Sequence, residues 1–364
     1  MADLFDYLDW RGDIGFEAVG VTPVDGLIFS ALAYVHYDGL VREDFTHPVP
    51  LEVVADAFAV LPDKAERVLL KNDGRLLQAA AGTERYRHVE LVFYRSETVP
   101  ELESQFAAVA FLLPNGQAVL AFRGTDATLV GWKEDFNMSF QPCVPAQEKA
   151  LYYTQTFAGH HDHPLILCGH SKGGNLALYA AAMCRPETQE KIDCAVSFDG
   201  PGLNERIIHS EGFARMQEHM RVILPRDSLV GRLFEQPDNI RIVDSRVFSL
   251  LQHYPYFWKT RGMDFIDIER PGRLSAILGQ SLCGLMERLD APSREQLIES
   301  VYDILSASEA DTFNDFASSW LKSSAAVVSK LFHTDSQTRR LFQRAINAFF
   351  TSAAQVIGER RRSD

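Results

Sequence analysis

No stretch of this chain restricts its folding more than residues 165–182, Leu-Ile-Leu-Cys-Gly-His-Ser-Lys-Gly-Gly-Asn-Leu-Ala-Leu-Tyr-Ala-Ala-Ala. A short apolar run at 165–168 meets a Gly-x-Ser-x-Gly pentapeptide. The pentapeptide leads directly into an Ala/Leu-rich pattern of helical spacing over 173–184. Between a strand and a helix, this pentapeptide forms a nucleophile elbow: the turn is sharp, and the serine is held in a strained conformation with its hydroxyl above the sheet. The residues two before and two after the serine must be small, and Gly169 and Gly173 are. The alternative is a glycine-rich turn with an incidental serine at 171. The flanking strand and helix patterns argue against it.

The remaining sequence supplies a scaffold for such an elbow. Runs of strand character occupy 88–94, 106–113, 117–122, 165–168, 194–198, 221–224, 240–243 and 247–251. The Pro114-Asn115-Gly116 turn between the second and third reads as a hairpin. Helical spacing appears over 25–34 and 145–158, and from 271 onward only helical patterns remain, over 274–289, 294–308, 314–332 and 337–359. Strands alternating with helices and then helices alone predict an α/β fold with a mostly parallel sheet flanked by helices over residues 1–270. An all-helical C-terminal extension is expected over 271–364. A length of 364 residues with 46% hydrophobic content is enough for this arrangement.

Several function classes are excluded by composition. Lys and Arg number 36 against 49 Asp and Glu, a net charge of −13, which repels phosphate backbones and argues against a nucleic-acid partner. No apolar run is long enough to span a bilayer, and residues 1–10 lack the basic start and apolar core of a secretion signal. The five cysteines, Cys143, Cys168, Cys184, Cys194 and Cys283, form no C-x-x-C pair, so neither a disulfide framework nor a zinc site is suggested. The expectation is a cytoplasmic protein with no metal and no organic cofactor.

A serine hydroxyl needs a histidine to accept its proton and a carboxylate to orient that histidine. Elbow folds supply them in the chain order Ser, acid, His, from loops that follow later strands. Ser171 is the candidate nucleophile. Asp227, after the strand at 221–224, is the candidate acid, and His253, after the run at 247–251, the candidate base. Asp199, in Phe-Asp-Gly-Pro-Gly, also follows a strand and competes with Asp227; otherwise it shapes its turn. His209 and His219 read as surface residues. His160, His161 and His163 sit too close together in sequence to converge on one ion and read as a solvated loop. Two donors for a developing oxyanion are available: the backbone N–H of Lys172 and the strand-end residue Thr125.

Phe122-Arg123-Gly124-Thr125 followed by Trp132 and Asp135, together with Gly169-His170-Ser171-x-Gly173-Gly174, resembles the signature of class 3 lipases, which have an α/β-hydrolase fold. The resemblance implies Ser171 as nucleophile, Thr125 as oxyanion residue, and Asp227 and His253 as the triad acid and base. The chain is more closely similar to a bacterial lipase-like family of unknown function (Mbeg-like). That likeness lies in the N-terminal Asp-Tyr-Leu-x-Trp-Arg-Gly-Asp segment, in the segment at 131–137, in Asp199-Gly-Pro-Gly and in Gln252-His253 followed by Trp258. It covers residues 1–265 and, more loosely, the tail. Two departures from the class 3 pattern point away from bulk lipid: a charged Lys172 after the nucleophile, and a short charged segment, Trp132-Lys-Glu-Asp135. A short-chain ester, a lysolipid or a thioester is the expected substrate.

The expected activity is serine-dependent carboxylic-ester hydrolysis through an acyl-enzyme. Amide hydrolysis uses the same machinery. The competing reading is a non-catalytic module that binds a partner, an oligomer mate or a membrane surface through its tail. There Arg339, Arg340, Arg344 and residues 360–362 flank an apolar stretch; a packed helix with a solvated basic rim explains the same pattern.

Overall fold

One sheet holds eight strands in the order in which the chain makes them: β1 (Val49–Pro50), β2 (Glu90–Val99), β3 (Ser104–Leu112), β4 (Ala118–Phe122), β5 (Leu165–His170), β6 (Ile192–Phe198), β7 (Met220–Pro225) and β8 (Ile240–Val243). In this computed structural model the described residues are 2–102, 104–125, 134, 137, 138, 141–247, 249–269 and 272. The expected helical extension over 271–364 lies, Gly272 aside, outside them. The first three pairings, β1 with β2 through β3 with β4, are antiparallel; those from β4 to β8 are parallel. The β3–β4 turn is the expected hairpin, with Gly116 at φ 84° and the Asn115 side chain accepting from the Gln117 N–H at 3.1 Å.

Five parallel strands in sequential order impose a constraint. Right-handed crossovers between successive strands all fall on the same face of the sheet. That face carries α5 (Pro145–His160), α6 (Lys172–Met183) and α7 (Glu211–Met216), packed on Leu120, Phe122, Leu167, Ala195 and Val222. The opposite face presents Val119, Ala121, Ile166, Cys168, Val196 and Phe198, and no crossover is left to bury them. The N-terminal part of the chain does so, through α1 (Leu4–Arg11), α2 (Pro23–Leu32), α3 (Leu51–Ala59) and α4 (Lys71–Ala81). Helix α2 is buried from Val24 to Leu32, on all its sides. A helix this apolar all round belongs in a core. Thr22 caps it, and Pro23 at its first position has no N–H to satisfy.

The N-terminal layer is fastened by one buried ion pair. Arg85 meets both oxygens of Asp25, at 2.9 and 2.6 Å, and both side chains are fully buried. The remaining guanidinium donors reach the carbonyls of Ile14, Val19 and Gly20. The hydroxyls of Tyr7 and Tyr86 donate to Asp25 at 2.8 and 2.5 Å. Asp25 also caps α2 through the Thr22 N–H, so one carboxylate joins α1, α2 and the segment before β2.

One expected strand is not formed. The run at 247–251 contributes instead to a 3-10 turn, Ser249–His253, and Leu251 is more than half exposed. A short apolar run has no period long enough to distinguish a strand from a turn. The turn is held by side chains: Gln252 donates to the Val247 carbonyl at 2.7 Å, and Trp258 donates its indole N–H to the Gln252 carbonyl at 2.8 Å. A short hairpin follows, β9 (Thr260–Arg261) with β10 (Asp264–Phe265).

Removing one partner of a fully buried ion pair leaves an uncompensated charge. Arg85→Met is expected to cost about 3–5 kcal/mol in urea unfolding. Arg87→Ala, two residues further on, breaks only a partly exposed pair with Glu52 and is expected to leave the urea midpoint nearly unchanged.

Candidate active site

Strand β5 ends at His170 and helix α6 begins at Lys172, so the whole change of direction falls on Ser171. Its backbone lies at φ 58° and ψ −133°, a region a side-chain-bearing residue occupies only under constraint. The constraint is packing. A Cβ on Gly169 would sit 2.1 Å from the Gly173 backbone, and one on Gly173 would sit 2.0 Å from the Phe122 carbonyl oxygen. Only hydrogen fits at either place. Ser171 also donates its N–H to the Phe198 carbonyl at 3.0 Å, which ties the turn to the end of β6. Its side chain is partly exposed.

His253 ends its 3-10 turn beside the elbow. Its ring lies 4.6 Å from that of His170, the residue before Ser171. Its Nδ1 is 2.8 Å from Oδ2 of Asp199. Asp199 follows β6 directly, is 1% exposed, and has φ 51°, which Asp tolerates better than most side chains. Its other oxygen accepts from the Ser228 hydroxyl and from the Gly231 N–H at 3.2 Å. The carboxylate that faces the imidazole is therefore buried, fully hydrogen-bonded and fixed.

Asp227 is expected against the same imidazole, but its described contacts are with Gln252. Its carboxylate accepts from Gln252 Nε2 at 2.7 Å, and its own N–H donates to Gln252 Oε1 at 3.0 Å. Asp227 thus grips the neighbour of His253 and leaves the imidazole to Asp199. The physical reason is reach. Asp199 leaves β6 with its N–H on the Ile223 carbonyl, next to the elbow, whereas Asp227 lies two residues past the end of β7. The sequence signal for Asp199 is its place in Asp-Gly-Pro-Gly, immediately after a buried strand.

The loop after β4 lies against the elbow. A Cβ on Gly124 would meet the Tyr34 hydroxyl at 2.1 Å, the His170 carbonyl at 2.6 Å and the Ser171 side chain at 3.1 Å. Thr125, the next residue, is partly exposed. Lys172 is 1% exposed, and its side chain turns inward. Its Nζ donates to Glu134 Oε2 at 2.8 Å and to the Gln105 carbonyl at 2.9 Å. Glu134 is fully buried and also accepts from the N–H groups of Gln105 and Ala146. The charges at 172 and 134 neutralise each other inside the protein. They therefore supply no reason against an apolar substrate, contrary to the expectation drawn from them as departures; Trp132 and Asp135 lie outside the described residues. Sequence reasoning missed Glu134 as a partner because nothing local links it to Lys172.

Two further contacts hold the surroundings of His253. His170 Nε2 is 2.6 Å from the His253 carbonyl, and burial holds the His170 imidazole well below its ordinary value of 6.5. The Tyr256 hydroxyl donates to Asp73 at 2.5 Å, and the Leu70 N–H donates to the same carboxylate at 2.7 Å. Burial pushes the Asp73 carboxyl up to about 6 despite these bonds. His209 and His219 are exposed, as expected. His161 differs from a solvated loop residue, stacking on Phe157 with ring centroids 4.5 Å apart. Among the described residues no group of His, Cys, Asp or Glu is placed to hold a metal ion. No described helix is long and apolar enough to cross a membrane.

Residues 80–303 match the Mbeg1-like family. The chain belongs to this family. The match starts within α4, so most of the N-terminal layer of this Mbeg1-like chain precedes it. No curated protein matches the chain. Among solved structures it is similar to M37 lipase, at 16% identity over 58% of this chain and 68% of that one, with a TM-score of 0.36. At that distance no residue is transferred between the two. The described architecture is a mostly parallel eight-stranded sheet flanked by helices, with Ser171 at the carboxyl end of β5.

Lys172→Met leaves Glu134 buried without its cation and is expected to cost about 3–5 kcal/mol of stability by urea unfolding. Adding Glu134→Gln should restore part of that loss. Asp73 gives a pH signature. With a folded value near 6 against an ordinary 3.8, it binds its proton more tightly in the folded chain. Its contribution is complete below about pH 4, falls through the interval up to about pH 6 and is constant above. The stability difference between wild type and Asp73→Asn, measured from pH 3.5 to 7.5, should change only within that interval.

Proposed function

We propose that this chain is a serine-dependent carboxylic-ester hydrolase whose triad is Ser171, His253 and Asp199. The observation that carries the proposal is the 2.8 Å contact between His253 Nδ1 and a buried carboxylate, made beside a strained elbow serine. With Nδ1–H donated to Asp199, Nε2 is the nitrogen available for the Ser171 proton. Ser171 Oγ attacks the acyl carbon, and the imidazole takes the hydroxyl proton. The resulting oxyanion accepts from the Lys172 N–H and from Thr125. The tetrahedral intermediate collapses, the C–O bond to the alcohol breaks, and the imidazolium returns its proton to the leaving oxygen. Water then enters by the same route and releases the acid. Asp227 supports this arrangement through Gln252, one residue from the base.

The substrate class is an acyl ester. Short-chain esters, lysolipids and thioesters all suit the chemistry. Inward-facing charges at 172 and 134 leave acyl length to be set by other residues.

A series of p-nitrophenyl esters of increasing chain length tests the proposal, together with fluorophosphonate labelling. Wild type should turn over and be labelled at Ser171, and Ser171→Ala should do neither. Asp199→Asn should lower kcat by about 10⁴-fold. Asp227→Asn should lower it by less than about tenfold, since it acts only through a neighbour. A larger loss in Asp227→Asn than in Asp199→Asn would return the acid role to Asp227. Equal turnover by wild type and Ser171→Ala would overturn the hydrolase itself.

A further inference from the structure

We propose that His170 is a positioning residue for the base: its Nε2–H holds the backbone carbonyl of His253, and Tyr34 holds His170 in turn. The inference rests on the reading of His253 as the base. A carbonyl only accepts, so the 2.6 Å contact requires the proton on His170 Nε2. His170 is 4% exposed, and burial favours its neutral form. Nδ1 is then bare, and the Tyr34 hydroxyl, 3.1 Å away, is its donor. The same hydroxyl lies 3.3 Å from the His170 carbonyl, so its single proton is shared in a three-centre bond whose longer branch is to that oxygen.

This contact differs from the others around the turn. His253 ends a single 3-10 turn, a weak element by itself. Gln252 is anchored to Asp227 and to the Val247 carbonyl, and Trp258 anchors the Gln252 carbonyl. Those bonds hold the turn to its own surroundings. The bond from His170 is made to His253 itself and comes from the residue covalently joined to Ser171. The separation of the proposed nucleophile and base is thereby set by one peptide link and one side chain. A neutral partner is also what this place needs: its ring lies 4.6 Å from an imidazole that becomes positive during acyl transfer, and a second positive charge there would oppose that step.

The two amide side chains separate positioning from mere packing. The amide of Gln reaches the place of Nε2, whereas the shorter amide of Asn reaches only that of Nδ1. Both bury a similar polar group. His170→Asn is expected to lower kcat on p-nitrophenyl butyrate by about tenfold to a hundredfold with KM within about twofold, as a displaced catalytic group does. His170→Gln should recover most of that loss at an equal Tm. Tyr34→Phe should lower kcat by less than His170→Asn and serves as the second variant if the Asn protein does not fold. Asn and Gln variants with equal kcat, or a loss confined to KM, would overturn the inference. Exchange of the His253 Nδ1 proton, followed by NMR, reads the same geometry without turnover. It should be faster in the Asn variant than in the Gln variant, and equal rates would overturn the inference. Wild type that lacks Ser171-dependent turnover would instead refute the hydrolase reading, and the proton measurement would still decide the role of His170.

Discussion

Backbone contact between Gly173 and Phe122 sets the distance between the start of α6 and the end of β4. With only a hydrogen between them, the strand and the helix approach more closely than any side chain allows. The arrangement of the elbow follows from that distance. Ser171 takes the whole bend and the strained φ that goes with it. The loop carrying Gly124 and Thr125 comes to rest against the serine. The side chain of Lys172 has nowhere to go but inward, where Glu134 and the Gln105 carbonyl receive it. Here a polar network replaces the apolar side chain that would ordinarily fill this space, and it is tolerable because each buried donor and acceptor named in it is matched.

The two aspartates near His253 show how one loop cluster uses carboxylates at different depths. Asp199 is buried and saturated by three donors, so its orientation is fixed before any substrate arrives. Asp227 is more accessible and holds a glutamine in a reciprocal pair. Orientation of an imidazole needs the first arrangement, because a carboxylate free to rotate gives up the direction it is meant to impose. The reciprocal pair suits a different task, holding a short turn that has few backbone bonds of its own.

Much of this was legible in the sequence. Parallel strands buried on both faces read as unbroken apolar runs, and those at 165–168, 194–198 and 221–224 lie within β5, β6 and β7. The elbow was legible because its small residues are a steric requirement at fixed spacing. What escaped depends on contacts between distant residues. The choice between Asp199 and Asp227 turns on which loop faces His253, and both follow buried strands. The Lys172–Glu134 pair spans 38 positions. The run at 247–251 is too short to reveal a period, and it became a turn. A layer built from the N-terminal helices was also beyond local pattern, since it answers a need created by strands made much later.

That layer has a consequence for how the molecule is made. Helix α2, buried from Val24 to Leu32, packs against strands that end near residue 198. During synthesis it leaves the ribosome well before those strands exist. At about 5–20 residues per second, the wait is on the order of ten seconds. Through that interval an oily segment has no proper seat.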